Sequence, residues 1–599
     1  MRGLFHFCGF NILLIVSFLG EANTNKVYIV YMGASPIGAP TNYHAQLMSE
    51  LMKRKKNPVV HTYNKSFVGF AARLSEEEAK SIARRPGVVS VFPDRVLQLQ
   101  TTRSKVIGAR YYVDPDETGY IVTPRDEDGH GTHVASTAAG RHVWGGASYY
   151  GLAQGIPRGG SPCSRIAMYR VCGYGGGCQG AGVLKAFDDA IADGVDVISI
   201  SLAHLPGETD FTTDPIAIGS FHSVEKGITV VASAGNSGSA SKTVVNVAPW
   251  ILTVAATTID RDFVADVVLG GNIKVIKGGG INFSGLRKSA VYPLTDGFSA
   301  ANQKDVDYAK YCVPGLLDDD KVKGKIVVCE NKYPRGTIKR FDALKKQGAI
   351  GMLVIDNHIS DSSRAFPGKE PPLFNIDSGT SMACPHVSGL AATVKSHHPT
   401  WSPSAIRSAI MTTAIQTNNL HAPITTNNGS RATPYDMGAG EISTFGPLCP
   451  GLVYETKTID YIQFLCNFGY NTSVIRTIAS TVPNNFSCPS ISSPDLISDM
   501  NYPSIAVSGL KENGSRTVKR TVTNVGEAYS TYMATVEAPV GVLVQVVPKT
   551  LRFTKNANRL SFQVTFTRTT TTSHEELFGS ITWCNWKYKV RSPFVVSKG

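Results

Sequence analysis

Beyond its first residues the sequence has no apolar run of membrane-spanning length, which excludes a protein built on transmembrane helices. Charged residues make up only 18%, and the +13 formal charge comes without an arginine-rich arm or an aromatic RNA-binding motif. Nucleic acid is therefore not the expected partner. A solvated basic surface accounts for the excess, and the sharper alternative is weak attraction to a polyanionic matrix such as wall pectin. His130 and His133 are spaced as a zinc pair would be, but no third ligand stands near them, so no metal or other cofactor is expected.

With 42% apolar residues over 599 positions, the chain can bury real cores in three or four domains. MRGLFHFCGFNILLIVSFLGEANT has a cation at Arg2, a short apolar run ending near Leu19 and small residues at Gly20 and Ala22. It reads as a secretory signal, residues 1–22, and not as an anchor, because His6 and Asn11 interrupt the run. Of eleven cysteines, Cys8 leaves with the signal, and the rest are disulfide candidates in an exported chain. Acceptor sequences for N-glycans at Asn64, Asn282, Asn428, Asn471, Asn485 and Asn513 agree with export.

Residues 26–100 read as strand, helix, strand, turn, strand, helix and strand. The second helix is capped by Ser75, with acids in its first turn. This is a small α+β unit. From Lys105 the pattern becomes β-α-β: SRIAMYRVC as a buried strand, AGVLKAFDDAIADG as a helix, then VDVISISLA, DPIAIGSFHSVEKG and ITVVASAGN. Such alternation implies an α/β core with a parallel sheet covered on both faces. Residues 302–372 interrupt that core as a separate module, with Cys312 and Cys329 as a pair within it. Core residues resume over 373–454, and 501–599 alternate as the short strands of a β-sandwich.

Three loops carry chemistry. SGTSMACPHVSG places Ser381 where a turn enters a helix, whose free N–H groups favour a developing oxyanion. The small residues Gly379, Ala383 and Gly389 let this helix pass close beneath the sheet. DGHGTHVAS sets His130 at a loop-to-helix entry, and VVASAGNSG ends a strand at Asn236, whose amide can donate to an oxyanion. Each alone has a plain structural explanation, such as a capping serine or a strand-end turn.

In this order the three loops resemble those of the subtilisin-like serine proteases. TVAATTIDRDF, VKGKIVVC, MGAGEI, PGLVYE and NYPSIAVS are similar to plant subtilases, and RRPGVVSVFPD and DPIAIGSFH to the CO2-response secreted group. The resemblance implies a secreted endopeptidase of the apoplast or cell wall acting on peptide or protein substrates. In it Ser381 is the nucleophile, His130 the general acid–base and Asn236 the oxyanion donor. The architecture implied is a subtilisin-like parallel-sheet core with an N-terminal propeptide (26–100) that inhibits its own enzyme. A protease-associated insert (302–372) divides the core into 105–301 and 373–454, and a fibronectin-III-like sandwich (501–599) comes last. Self-cleavage is expected near Gln100–Thr101. Ser201, Leu202 and Ala203 belong to a segment that pairs with substrate backbone, with alanine at 203 where the family has glycine. Cys466–Cys488 is a further disulfide expectation, and Cys172–Cys178 another.

One part is missing. In the family a strand ending in Asp-Thr-Gly precedes the histidine loop and supplies the acid that steadies the imidazole. Here TTRS runs directly into KVIGARYY, so the segment looks excised between Ser104 and Lys105. Asp114, Asp116, Asp126 and Asp128 are the nearest carboxylates, and Asp126 and Asp128 are expected to serve loop structure. A second join near Pro372–Leu373 removes part of the insert. The expected protein is therefore an impaired serine endopeptidase. The alternative is a non-catalytic pseudoprotease, or a propeptide-type inhibitor or binding protein.

Overall fold

Near-continuous apolar runs in Lys26–Ala34 (β1) and Phe67–Leu74 (β3) build the first sheet. The computed structural model describes residues 26–598 apart from short stretches, the longest being 35–41, 98–104, 114–122, 281–286 and 356–373. The signal, the Gln100–Thr101 bond, Asp114, Asp116, Asn282 and the Pro372–Leu373 join lie outside the described residues. With Asn42–Arg54 (α1), Val59–Tyr63 (β2), Glu76–Ala83 (α2) and Ser90–Pro93 (β4), the first unit is an antiparallel sheet of order β2-β3-β1-β4 carrying two helices. At the start of α2, Ser75 Oγ accepts from Glu78 N, and the Glu78 carboxylate accepts in return from Ser75 N at 2.7 Å. A short strand, Val96–Leu97 (β5), leaves this unit for the next.

The core consists of Val106–Tyr111 (β6), His130–Ala139 (α3), Ile166–Arg170 (β7), Cys178–Gln179 (β8), Gly180–Asp193 (α4), Val197–Ile200 (β9), Pro215–Glu225 (α5), Thr229–Ser233 (β10) and Leu252–Val254 (β11). Apart from β8, the strands pair in parallel, but not as the one continuous sheet that the alternation predicts. β6 pairs with β7, and β9-β10-β11 form a separate sheet. The break falls between β7 and β9. β7, expected to be buried, is half-buried along its length, whereas β10 is buried throughout. β6 is exposed at every residue, including Val106, Ile107 and Tyr111. Two parallel sheets that do not pair with each other leave open edges and uncovered apolar surface.

In the insert, Leu294–Asp296 (β12), Ile326–Glu330 (β13) and Gly351–Ile355 (β14) form a parallel three-stranded sheet. Because β12 pairs with β13, this module begins before the boundary expected at residue 302. The core then resumes with Thr380–His397 (α6) and Pro403–Thr412 (α7). Thr458–Phe468 (α8) and Thr472–Ile478 (α9) pack into the same hydrophobic cluster as α4, α5 and the first sheet. The C-terminal sandwich has a five-stranded sheet facing a four-stranded one. Leu452–Val453 joins the latter, so the expected end of the core at residue 454 already lies in the sandwich.

Disulfides join Cys172–Cys178, Cys312–Cys329 and Cys466–Cys488. Cys163, Cys384, Cys449 and Cys584 remain free, against the expectation that all cysteines after the signal are candidates for pairing. Cys384 is enclosed in α6, and burial pushes its thiol up to about 11. Asn64, Asn428, Asn471, Asn485 and Asn513 all stand exposed. No helix among the described residues is long and apolar enough to cross a membrane.

Candidate active site

Gly129, at φ 103°, turns the chain into α3 and places His130 first in the helix. Asp126 holds this entry. Its Oδ1 accepts from the backbone N–H of Asp128 (3.2 Å) and Gly129 (2.9 Å), and its Oδ2 from Thr132 N and Oγ1, both at 2.8 Å. All these bonds serve the helix N-terminus, where a carboxylate is favoured. Glu127 bonds to Arg170 of β7 at 3.2 Å. The Asp128 carboxyl is raised by burial and then by the charges of Asp126 and Asp377, the last on the serine loop. The two loops therefore face one another, with Asp126 bonded to the helix entry and Glu127 to β7.

The His130 side chain is buried and its Nε2 has no hydrogen-bond partner. No carboxylate among the described residues is bonded to its ring. Burial, reinforced by the neighbouring His133, pushes its pKa down to about 2. An unfolded histidine ionises at roughly 6.5. Stability held above that pH is therefore lost as pH falls towards the folded value, at about 1.4 kcal/mol per pH unit. Urea unfolding at pH 7 and pH 5 should show a loss that shrinks in His130→Gln; the same loss in both proteins contradicts it.

Ser381 is the second residue of α6 and is buried. Its Oγ donates to Ser201 O at 3.5 Å, while Ser201 Oγ donates to Ser381 O at 2.9 Å. Helices α3 and α6 pack together, but His130 Nε2 and Ser381 Oγ do not bond. The close approach occurs at Gly389, where a Cβ would lie 2.5 Å from Ala138 O. This glycine thus admits α3, and not the sheet expected from its small size. Asn236 Oδ1 accepts from Thr380 N (2.9 Å) and Thr380 Oγ1 (2.8 Å), leaving its amide nitrogen to donate beside the helix N-terminus. Gly379, at φ 139°, permits this contact: a Cβ there would stand 3.1 Å from Asn236 Nδ2.

Ser201–Ala203 lies just past the end of β9 at Ile200 and is not itself strand. Ser201 and Leu202 are buried, and Leu202 O accepts from Asn246 Nδ2 at 2.8 Å. Asn246 also donates to Ser233 O at 2.8 Å, so it ties the segment after β9 to the end of β10. Sequence reasoning missed Asn246, whose one local signal is an asparagine able to hold φ 56°.

The first sheet docks against α4 and α5. Asp94 Oδ1 accepts from Ala181 N at 2.8 Å, at the N-terminus of α4. β5 pairs antiparallel with β8, Leu97 opposite Cys178 and Val96 opposite Gln179.

A family profile described as "Subtilase family" matches residues 106–440. "Peptidase inhibitor I9" matches 27–100, and "Fibronectin type-III domain" matches 499–596. The chain is 42% identical to the CO(2)-response secreted protease of Arabidopsis thaliana, over 99% of this chain and 98% of that one. It is 41% identical to the subtilisin-like protease SBT5.1 of the same plant, over 96% of each. With the subtilisin-like serine-protease S of Lotus japonicus the identity is 33%, over 98% of each. The first alignment spans 759 positions, more than 599 residues can fill, so that relative carries segments with no counterpart here.

Proposed function

The chain belongs to the subtilase family, and on that premise we propose that it is an exported serine endopeptidase by descent whose catalysis is severely impaired. In this reading Ser381 attacks the peptide carbonyl, His130 takes and returns the proton, and Asn236 donates to the oxyanion with the help of the α6 N-terminus. The observation that carries the impairment is the break between β7 and β9, together with a His130 ring that no carboxylate holds. A neutral imidazole free to choose its tautomer does not present a basic nitrogen reliably to a serine hydroxyl.

Two further features support the reading. The docked first sheet and the β5–β8 pairing are what an inhibitory propeptide needs to lie along the active face. The signal-like start and five exposed glycan acceptors agree with export. Family members free themselves by cutting their own propeptide, a step that needs the same serine and histidine. The chain expressed in plant cells is therefore expected to remain uncut at Gln100–Thr101, and blotting should show one unprocessed species. A mature form beginning at Thr101, lost in Ser381→Ala, contradicts the proposal.

A further inference from the structure

Strands β7 and β9 are joined through α4 as a β-α-β unit, yet they do not pair with each other. β7 pairs with β6 and β9 with β10, and among the described residues the opposite edge of each is open. Side-chain alternation nevertheless runs through both pieces in phase. Tyr169 of β7 and Ile198 and Ile200 of β9 pack into the cluster that holds Phe187 of α4 and Ile216 of α5. On the other face, Met168 lies 3.4 Å from where a Cβ on Gly131 of α3 would stand. There too, Ser199 bonds to Ser388 of α6 at 2.7 Å, and Val197 packs against the cluster of α6.

Both half-sheets therefore lie between the same two helical layers, α4 and α5 on one side, α3 and α6 on the other. In a parallel strand the backbone N–H and C=O groups of alternate residues point to opposite edges, so each open edge presents donors and acceptors that no strand among the described residues pairs with. Exposure agrees: Ser199 is exposed and β7 is half-buried, in a layer whose intact strand β10 is fully buried.

We propose that these open edges flank a slot that binds an extended segment of another polypeptide, entering as a strand parallel to both. The helical layers on both faces select its chemistry. The occupant is a run of about five uncharged β-branched residues, matching the lengths of β7 and β9, with an N–H on every residue. Backbone bonds on two sides supply affinity by strand addition. This inference rests on the interrupted core described above. Its readout is binding, so it fails separately from the catalytic reading.

The test uses the full chain and a fluorescein-labelled peptide with a five-residue valine–isoleucine run flanked by lysines. Two further peptides carry N-methyl groups on the odd or on the even residues of the run. Saturable anisotropy binding is expected, with each N-methylated peptide at least about tenfold weaker, because both edges are used. Hydrogen exchange should slow in both 166–170 and 197–200 when the peptide is bound. Absence of saturable binding overturns the proposal. So does loss with only one N-methyl set, or protection of only one strand, since either marks addition to a single edge.

Discussion

Assayed on a peptide substrate, the purified chain, its first sheet still docked, is expected to turn over at least about 10⁴-fold more slowly than a subtilase with a complete triad. That corresponds to about 5 kcal/mol of barrier. The acid of such a triad fixes the imidazole tautomer and stabilises the imidazolium formed as the serine loses its proton. Here no carboxylate among the described residues bonds to the His130 ring, and Asp126 is bonded to the α3 N-terminus and Glu127 to Arg170 instead. The remaining catalysis comes from the serine, the α6 N-terminus and Asn236, which donor geometry alone sustains. With the His130 pKa pushed down to about 2, the rate should also lack the usual inflection between pH 5 and 8. Asn236→Ala should remove a further factor of about 10². A kcat within tenfold of intact relatives, or a bell-shaped profile centred near neutrality, contradicts this.

Removing residues 26–97 is expected to abolish folding. Ile29, Tyr31, Tyr63 and Phe67 are each fully buried in one cluster with Phe187, Phe221 and Tyr461 of the rest of the molecule. Burying such a side chain contributes about 1.5–3 kcal/mol, and a domain's net stability is about 5–15 kcal/mol. Polar groups raise the stakes. The buried Asp188 carboxylate accepts from Ser66 N at 2.6 Å and Lys65 N at 3.2 Å, Tyr63 Oη donates to Ala181 O at 3.1 Å, and Tyr31 Oη bonds to His222 Nε2 at 2.6 Å. Without the first sheet these partners are lost together. In a core whose parallel strands already fall into two separate sheets, no other contact among the described residues replaces them. Phe67→Ala in the full chain should cost about 3–5 kcal/mol in urea unfolding. A soluble, cooperatively unfolding product that begins at Lys105 contradicts this account.

Local chemistry was the legible part. The Ser75–Glu78 capping box, the strand and helix order of the first sheet and the loops bearing His130, Asn236 and Ser381 all rest on neighbours in sequence. Features that depended on distant pairing were not legible. β12 joins the insert only through β13, and Leu452–Val453 joins the sandwich only through Ser515–Asn524, so the expected boundaries at 302 and 454 fell just after strands that pair with the next module. Ser201–Ala203 reads as strand by alternation, yet the strand stops at Ile200 and Asn246 holds the residues beyond it. The alternation of β7 likewise spoke for a buried strand. It is half-buried instead, and among the described residues no strand pairs with its second edge.

Impaired catalysis turns on the state of one imidazole. Nitrogen-15 NMR of chain labelled at histidine, with the His130 signal assigned by His130→Gln, reads that state directly. The ring is expected to stay neutral down to pH 4 and to show no strongly deshielded proton of the kind a carboxylate partner produces. A ring that takes up a proton near neutrality, with such a deshielded signal, would show that an anion holds it and would contradict the central claim.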